Sequence, residues 1–415
     1  MVRPAVHSPI VGIYTSVGKM KGLYFAVLAS AIAGAFAAPS PVEQGPVTAR
    51  AAMAACTTPV TLSGNPFASR SIYANKEYSK EVIAAAASMT DSALAAKASK
   101  VAQVGTFLWI DTRARISVIE DNLKDVPCNQ LAALVIYDLP GRDCAAKASN
   151  GELAAGDIAT YKSEYIDPIV AIFKKYPNTA IALVIEPDSL PNLVTNADKQ
   201  ACKDSASGYR EGVAYALKQL NLPNIAMYID AGHGGWLGWN DNLKPGAKEL
   251  AAVYKNAGSP KQVRGISTNV AGWNAWDLSP GEFSKATDAQ WNKCQNEKTY
   301  IETFGPLLKD AGMPGQAIVD TGRNAVTGLR KEWGDWCNVK GAGFGVRPTG
   351  TTGSTYADAF VWVKPGGESD GTSDTSATRY DSFCGKDDAY KPAPEAGQWN
   401  QAYFEDLLKN AKPSF

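Results

Sequence analysis

Seven aspartates stand just past short apolar runs, and together they suggest one kind of chemistry. Asp111 follows Phe107-Leu108-Trp109-Ile110, Asp138 and Asp143 follow Val135-Ile136-Tyr137, and Asp188 follows Val184-Ile185-Glu186-Pro187. Asp230 follows Met227-Tyr228-Ile229, Asp320 follows Ile318-Val319, and Asp370 lies beyond Trp362-Val363-Lys364. If these runs are parallel strands curled into a barrel, the aspartates gather at its C-terminal mouth, where such folds place catalytic groups. Crowded, buried carboxyls raise one another's pKa, so one can remain a neutral acid near pH 7 while another is ionised. Glycosidic bond cleavage uses such a pair. Taken singly, Asp111, Asp138 and Asp320 read as ordinary caps of the next helix. The collection is harder to read that way, because Trp109, Trp236, Trp239, Trp273, Trp276 and Trp336 lie in the same segments. Exposed indoles suit sugar faces, although core packing explains about half of such tryptophans.

The elements that must position these residues alternate along the chain. Apolar, β-rich runs at 105–110, 132–137, 180–185, 224–229, 263–269, 316–319 and 360–363 read as buried parallel strands. Stretches at 158–175, 206–220, 247–256 and 299–311 are long enough for crossover helices. No Gly-x-Gly-x-x-Gly follows the first strand, so the pattern favours a distorted, TIM-like parallel α/β barrel of seven strands over a doubly wound sheet.

Composition narrows the partners. Of 415 residues, 45% are hydrophobic and 20% charged, enough for one large core. Lys plus Arg and Asp plus Glu are both 41, and no basic run would follow a phosphate backbone, which excludes nucleic acid as the expected partner. Residues 1–37 read as a leader with a signal peptide: Met20-Lys21 opens an apolar run from Leu23 that ends in Ala35-Phe36-Ala37. That run is too short to span a bilayer, which takes about twenty residues. Residues 38–50 read as a propeptide ending at Arg50, and 51–415 as a single catalytic domain without a carbohydrate-binding module. The expected location is extracellular, with no membrane partner.

Seven cysteines lie far apart with no CxxC pair, a pattern of disulfides in an exported protein with at least one thiol left over. The two histidines are His7, in the leader, and His233, too few for a His-based metal centre. The expectation is no metal and no cofactor. No N-glycosylation sequon occurs.

Residues 134–145 read LVIYDLPGRDCA, 184–189 VIEPDS, 227–239 MYIDAGHGGWLGW, 332–338 EWGDWCN and 360–374 FVWVKPGGESDGTSD. These stretches resemble family 6 of the glycoside hydrolases, and most closely its fungal cellobiohydrolase branch. The likeness runs in order from about Asn65 to Phe415. It implies a distorted barrel whose active site is covered by two loops, and inverting hydrolysis of β-1,4-glucosidic bonds. It further implies Asp188 as general acid, Asp143 as the carboxyl that keeps the acid protonated, and Asp370 as candidate base, with a water chain toward Asp143 and Ser149 as the other route. Arg323 and Lys364 match cations that hold Asp370 ionised, and Tyr137 matches the residue that pushes the sugar out of its chair. Trp109, Trp236, Trp276 and Trp336 match sugar platforms. Asp111, His233, Lys364 and Glu368 match groups that bind sugar hydroxyls; His233 reads equally well as a structural histidine, and Asp230 matches a charged site residue of less defined role. The resemblance pairs Cys144 with Cys202 and Cys337 with Cys384, and leaves Cys56, Cys128 and Cys294 unassigned. Gly141 departs from the family where many members have Asp, Ser369 stands where some have Cys, and the stretch 121–131 is short.

The long segment 364–391 supplies a second roof loop and favours a cellobiohydrolase that releases cellobiose from non-reducing ends. An endoglucanase of the same family is the alternative, and a noncatalytic glucan-binding protein is less favoured because Asp143, Asp188 and Asp370 are all present. The expected partner is cellulose or a cello-oligosaccharide, and the expected state a monomer.

Overall fold

The structure, a computed structural model, describes residues 55–415. The expected leader, propeptide and His7 lie outside the described residues. Eight parallel strands form one sheet: β1 (Ser71–Ile72), β2 (Leu108–Ile110), β3 (Gln130–Ile136), β4 (Ala180–Ile185), β5 (Ile225–Asp230), β6 (Val263–Thr268), β7 (Gln316–Asp320) and β8 (Ala357–Val361). The short β1 pairs with the start of β3 and β2 with its end, so both occupy one position and the sheet is seven strands wide. From β3 to β8 neighbours follow in chain order. Among the described residues no ladder joins β2 to β8; that edge is bridged by the Phe107 amide donating to the Trp362 carbonyl (3.1 Å) and Trp109 Nε1 to the Val363 carbonyl (2.8 Å). The result is a curled half-barrel, which realises the expected distorted barrel.

Both faces of β3 and β4 are apolar, which explains their unbroken hydrophobic runs. In β4, Ile181, Leu183 and Ile185 face the helices, while Ala180, Ala182 and Val184 face inward with Phe107, Ala226 and Ala359. Small residues suit the inner face, where strands converge and space is narrow. The expected helix at 158–175 forms as Ile158–Thr160, a π segment Tyr161–Ile166 and Asp167–Lys175. The π segment aims Tyr161 and Tyr165 inward: Tyr161 donates to Glu186 and Tyr165 to the Ile110 carbonyl. Helices Gln200–Gln219 and Asn240–Asn256 start six or seven residues earlier than periodicity indicated.

Two long loops follow β3 and β8. Cys144–Cys202 ties the first to helix Gln200–Gln219, and Cys337–Cys384 ties the second to the segment after β7. The loops meet where the Lys147 amide donates to Asp381 Oδ2 (3.0 Å) and Ala148 packs on Cys337 and Cys384. A third disulfide, Cys56–Cys128, joins two cysteines that the sequence left unassigned. Cys294 is the free, buried thiol among the described residues, as an odd cysteine count requires.

Candidate active site

The turn after β4 holds two residues in a strained backbone conformation. Glu186 (φ 49°) and Asp188 (φ 63°) both adopt the left-handed region, which is unfavourable for L-residues by roughly 1–2 kcal/mol each. Buried carboxyls hold them there. Glu186 accepts from the Asp138 and Leu139 amides (both 3.3 Å) and from the Tyr161 hydroxyl (2.7 Å). Asp230, at the end of neighbouring β5, accepts the Asp188 amide (3.0 Å) and the Gly232 amide (3.2 Å) through Oδ2. This is the role that the sequence left undefined for Asp230.

So clamped, Asp188 presents a half-buried carboxyl that accepts no hydrogen bond among the described residues. Burial raises its pKa well above the ordinary carboxylate range, and the neighbouring charges of Asp230 and Asp143 push it further. Burial also lifts Asp230, to about 7. Asp143 is raised by burial, opposed by Arg142 and by hydrogen bonds from the Ser149 side chain and backbone. Tyr137 belongs to the same group: burial raises its phenol and both Asp143 and Asp188 add to the shift. The Tyr137 ring lies under the Arg142 guanidinium (4.2 Å) and edge-on to Trp109 (5.2 Å).

Asp370 sits in the opposite environment. Both its oxygens meet Arg323 Nη1 (2.9 and 2.8 Å), and Oδ2 also accepts the Asn338 amide (2.8 Å). Arg323 is itself 1% exposed and stacked on Trp273 at 3.9 Å, so the cation cannot swing away. Lys364 does not share this task. Its ammonium lies 3.8 Å from Glu368 and donates to the Ser369 carbonyl (3.2 Å), because Lys364 and Glu368 bracket a turn that brings them face to face. Burial raises Glu368 to about 7, opposed by Lys364 and reinforced by Glu81 and Asp111. Asp111, Lys364 and Glu368 therefore form a second polar group beside Trp109, whose ring lies 5.8 Å from the Lys364 ammonium.

Among the tryptophans, Trp109, Trp236, Trp276 and Trp336 are all half-buried. Trp236 donates to Thr195 Oγ1 (2.7 Å), Trp276 stands edge-on to Phe360 (4.9 Å) and Trp336 packs on Phe383 (6.0 Å). Trp273 is buried at 4% exposure, with its indole N–H on the Trp336 carbonyl, so it serves the core. The capping reading fails for Asp320: among the described residues no helix lies between β7 and β8, and its carboxyl instead gathers the Gly322, Ala271 and Lys364 amides of the strand-end loops (2.9, 3.1 and 3.0 Å). It fails too for Asp138, whose Oδ1 lies 3.7 Å from Arg142; burial lifts its pKa to about 8.

Sequence reasoning passed over Arg142, Glu186 and Asn338. Arg142 donates to the Ser149 carbonyl (2.9 Å) and the Asp111 carbonyl (2.7 Å), stitching the first roof loop to β2. It stands beside Asp143 in the GRDC string, the signal that marks it in the sequence.

A proton-retaining carboxyl and an ion-paired carboxylate at the mouth of an α/β half-barrel define a glycoside hydrolase. The family model "Glycosyl hydrolases family 6" matches residues 67–411, and the chain belongs to that family. It is 64% identical over 384 residues to 1,4-beta-D-glucan cellobiohydrolase CEL6C of Podospora anserina, covering 92% of this chain and 96% of that protein. It is 51% identical to Exoglucanase 3 of Agaricus bisporus, covering 85% of this chain and 80% of that one. Its fold matches cellobiohydrolase II (Cel6A) from Humicola insolens in complex with glucose and cellotetraose, with a TM-score of 0.82 at 50% identity, covering 85% of this chain and all of that one.

Proposed function

We propose that this chain hydrolyses β-1,4-glucosidic bonds in cellulose and cello-oligosaccharides with inversion, working from non-reducing ends and releasing cellobiose. The single observation that carries this reading is the contrast between two carboxyls: Asp188, unpaired and pushed toward its neutral form, and Asp370, gripped by Arg323. A neutral carboxyl donates a proton to the departing glycosidic oxygen; an ionised one on the other side of the sugar draws a proton from the attacking water. Asp143, bonded to Ser149, offers that water a second proton path. Tyr137, packed under Arg142 and against Trp109, is the rigid surface that distorts the sugar ring. Trp109, Trp236, Trp276 and Trp336 serve as platforms for glucose units, and Asp111, Lys364 and Glu368 bind hydroxyls beside Trp109.

The meeting of the two roof loops through Lys147 and Asp381 supports exo attack, since a covered path admits a chain by its end. Three disulfides support export of the chain, and among the described residues no helix is long and apolar enough to cross a membrane. The proposed working state is a monomer. Product analysis tests the exo assignment: cellobiose should dominate from the first turnovers, with little fall in the viscosity of carboxymethyl cellulose. A rapid viscosity fall with little cellobiose would assign an endoglucanase instead.

A further inference from the structure

His233 is half-buried beside Trp236 (6.1 Å between rings), and its imidazole must take one of two neutral forms. The surrounding hydrogen bonds decide which. Arg330 Nη2, a donor only, meets Asn274 Oδ1 at 2.8 Å and so fixes the orientation of the Asn274 amide. Asn274 Nδ2 then faces Glu297 Oε1 (2.7 Å) and His233 Nδ1 (3.1 Å). Glu297 Oε1 is an acceptor in its own right, because it also takes the Gly234 amide (2.9 Å). The two hydrogens of Nδ2 therefore go one to Glu297 and one to His233, and Nδ1 must offer a lone pair. A neutral ring with a bare Nδ1 carries its proton on Nε2, which has no protein acceptor among the described residues.

We propose that Asn274, itself held by Arg330 and Glu297, positions His233 as a fixed Nε2–H donor to an acceptor oxygen of the bound glucan. The arrangement rests on the reading that His233 binds sugar, and it deepens that reading by naming the atom, the proton and the positioning residues. Nothing in the frame is loose. The Asn274 backbone N–H donates to Asn269 Oδ1 (3.1 Å), and its backbone carbonyl accepts from the Asn269 and Asn324 side chains (3.2 and 2.9 Å). Glu297 is fully buried and also takes the Thr268 hydroxyl. The charged groups facing the ring are Glu297 and Arg330, the latter paired with Glu282 (2.7 Å). A second proton on Nδ1 would set N–H against N–H, and burial together with the Arg330 charge lowers the ring's pKa to about 3. The donor thus stays single and neutral across the working range of a carboxyl-based enzyme.

Long-range proton–nitrogen spectra of the ¹⁵N-labelled protein test this, since His7 and His233 are its two histidines. His233 should show a bare Nδ1 and a protonated Nε2 from pH 5 to 8 without titrating; a protonated Nδ1, or a ring that titrates in that window, would overturn the proposal. In the Asp188→Asn protein, saturating cellotetraose should shift the Nε2–H signal. If calorimetry shows binding while that signal stays still, the donor role falls; if no binding occurs at all, the glucan-binding reading beneath it falls as well. Asn274→Asp should draw a proton onto Nδ1, bring the ring into titration between pH 5 and 8, and raise KM for cellotetraose roughly tenfold with a smaller effect on kcat, the size of one lost hydrogen bond. An unchanged KM with an unchanged ring would contradict it.

Discussion

The Asp188 and Asp370 sides of the cleft hold the same functional group in opposite ways. At the ends of β4 and β5, Asp188 and Asp230 crowd each other without a cation, and each is pushed toward its neutral form. Beyond β8, Asp370 is doubly bonded to a buried arginine and to a backbone amide. Carboxyls start within half a unit of one another in water, so the protein sets their roles by what it places beside them. In the proposed mechanism, repulsion and burial suit Asp188 to act as the acid, and the locked guanidinium holds Asp370 in place as the base.

The largest expected effect comes from removing the acid itself. Asp188→Asn should lower kcat on cellotetraose by about 10²–10⁴-fold while leaving its dissociation constant largely intact. Unchanged turnover would reject the assignment. On the other side, Arg323→Met leaves Asp370 buried without its cation and should destabilise the fold by about 3–5 kcal/mol in urea titrations, with loss of activity in whatever remains folded. A loss below 1 kcal/mol would mean that Asp370 is not held by this pair.

A gentler change sharpens the contrast without breaking it. Asp230→Asn keeps an acceptor for the Asp188 amide but deletes a charge that raises the Asp188 pKa. The alkaline limb of the kcat/KM profile, which needs Asp188 protonated, should move to lower pH; a limb that stays in place would show that burial alone sets the acid.

The acid side also predicts how stability depends on pH. Asp138, Glu186 and Asp230 have folded-state values raised to about 8, 7 and 7. The folded protein therefore binds more protons than the unfolded chain above pH 4. Stability should be highest in mild acid and fall as pH rises through these values, on the order of 2 kcal/mol or more between pH 5 and 8. Urea midpoints at the two pH values measure this, and equal midpoints would contradict the burial of neutral carboxyls.

The two sides also differ in how much of them the sequence made legible. Strand β4 was readable residue for residue, because burial on both faces writes an unbroken apolar run and Pro187 marks its end. Their place after such runs put Asp188 and Asp143 among seven candidate aspartates, and the family resemblance singled them out. The two-residue β1 left no run to read, and the half-barrel's open edge depends on contacts more than two hundred residues apart. The grip of Asp230 on the Asp188 amide needs β4 and β5 side by side, and the Cys56–Cys128 link spans 72 residues without a local motif. Lys364 stood in the right string but its turn aims it at Glu368 rather than Asp370. Spacing along a chain identifies which groups reach the mouth; which of them touch is decided by the loops.

One measurement tests the acid and base arrangement most directly. Proton NMR during early cleavage of cellotetraose reads the anomer released before mutarotation blurs it. A neutral Asp188 on one side of the sugar and a water on the other predict that the new reducing end appears first as the α anomer. First appearance of the β anomer would mean retention through a covalent intermediate and would contradict the roles assigned to Asp188 and Asp370.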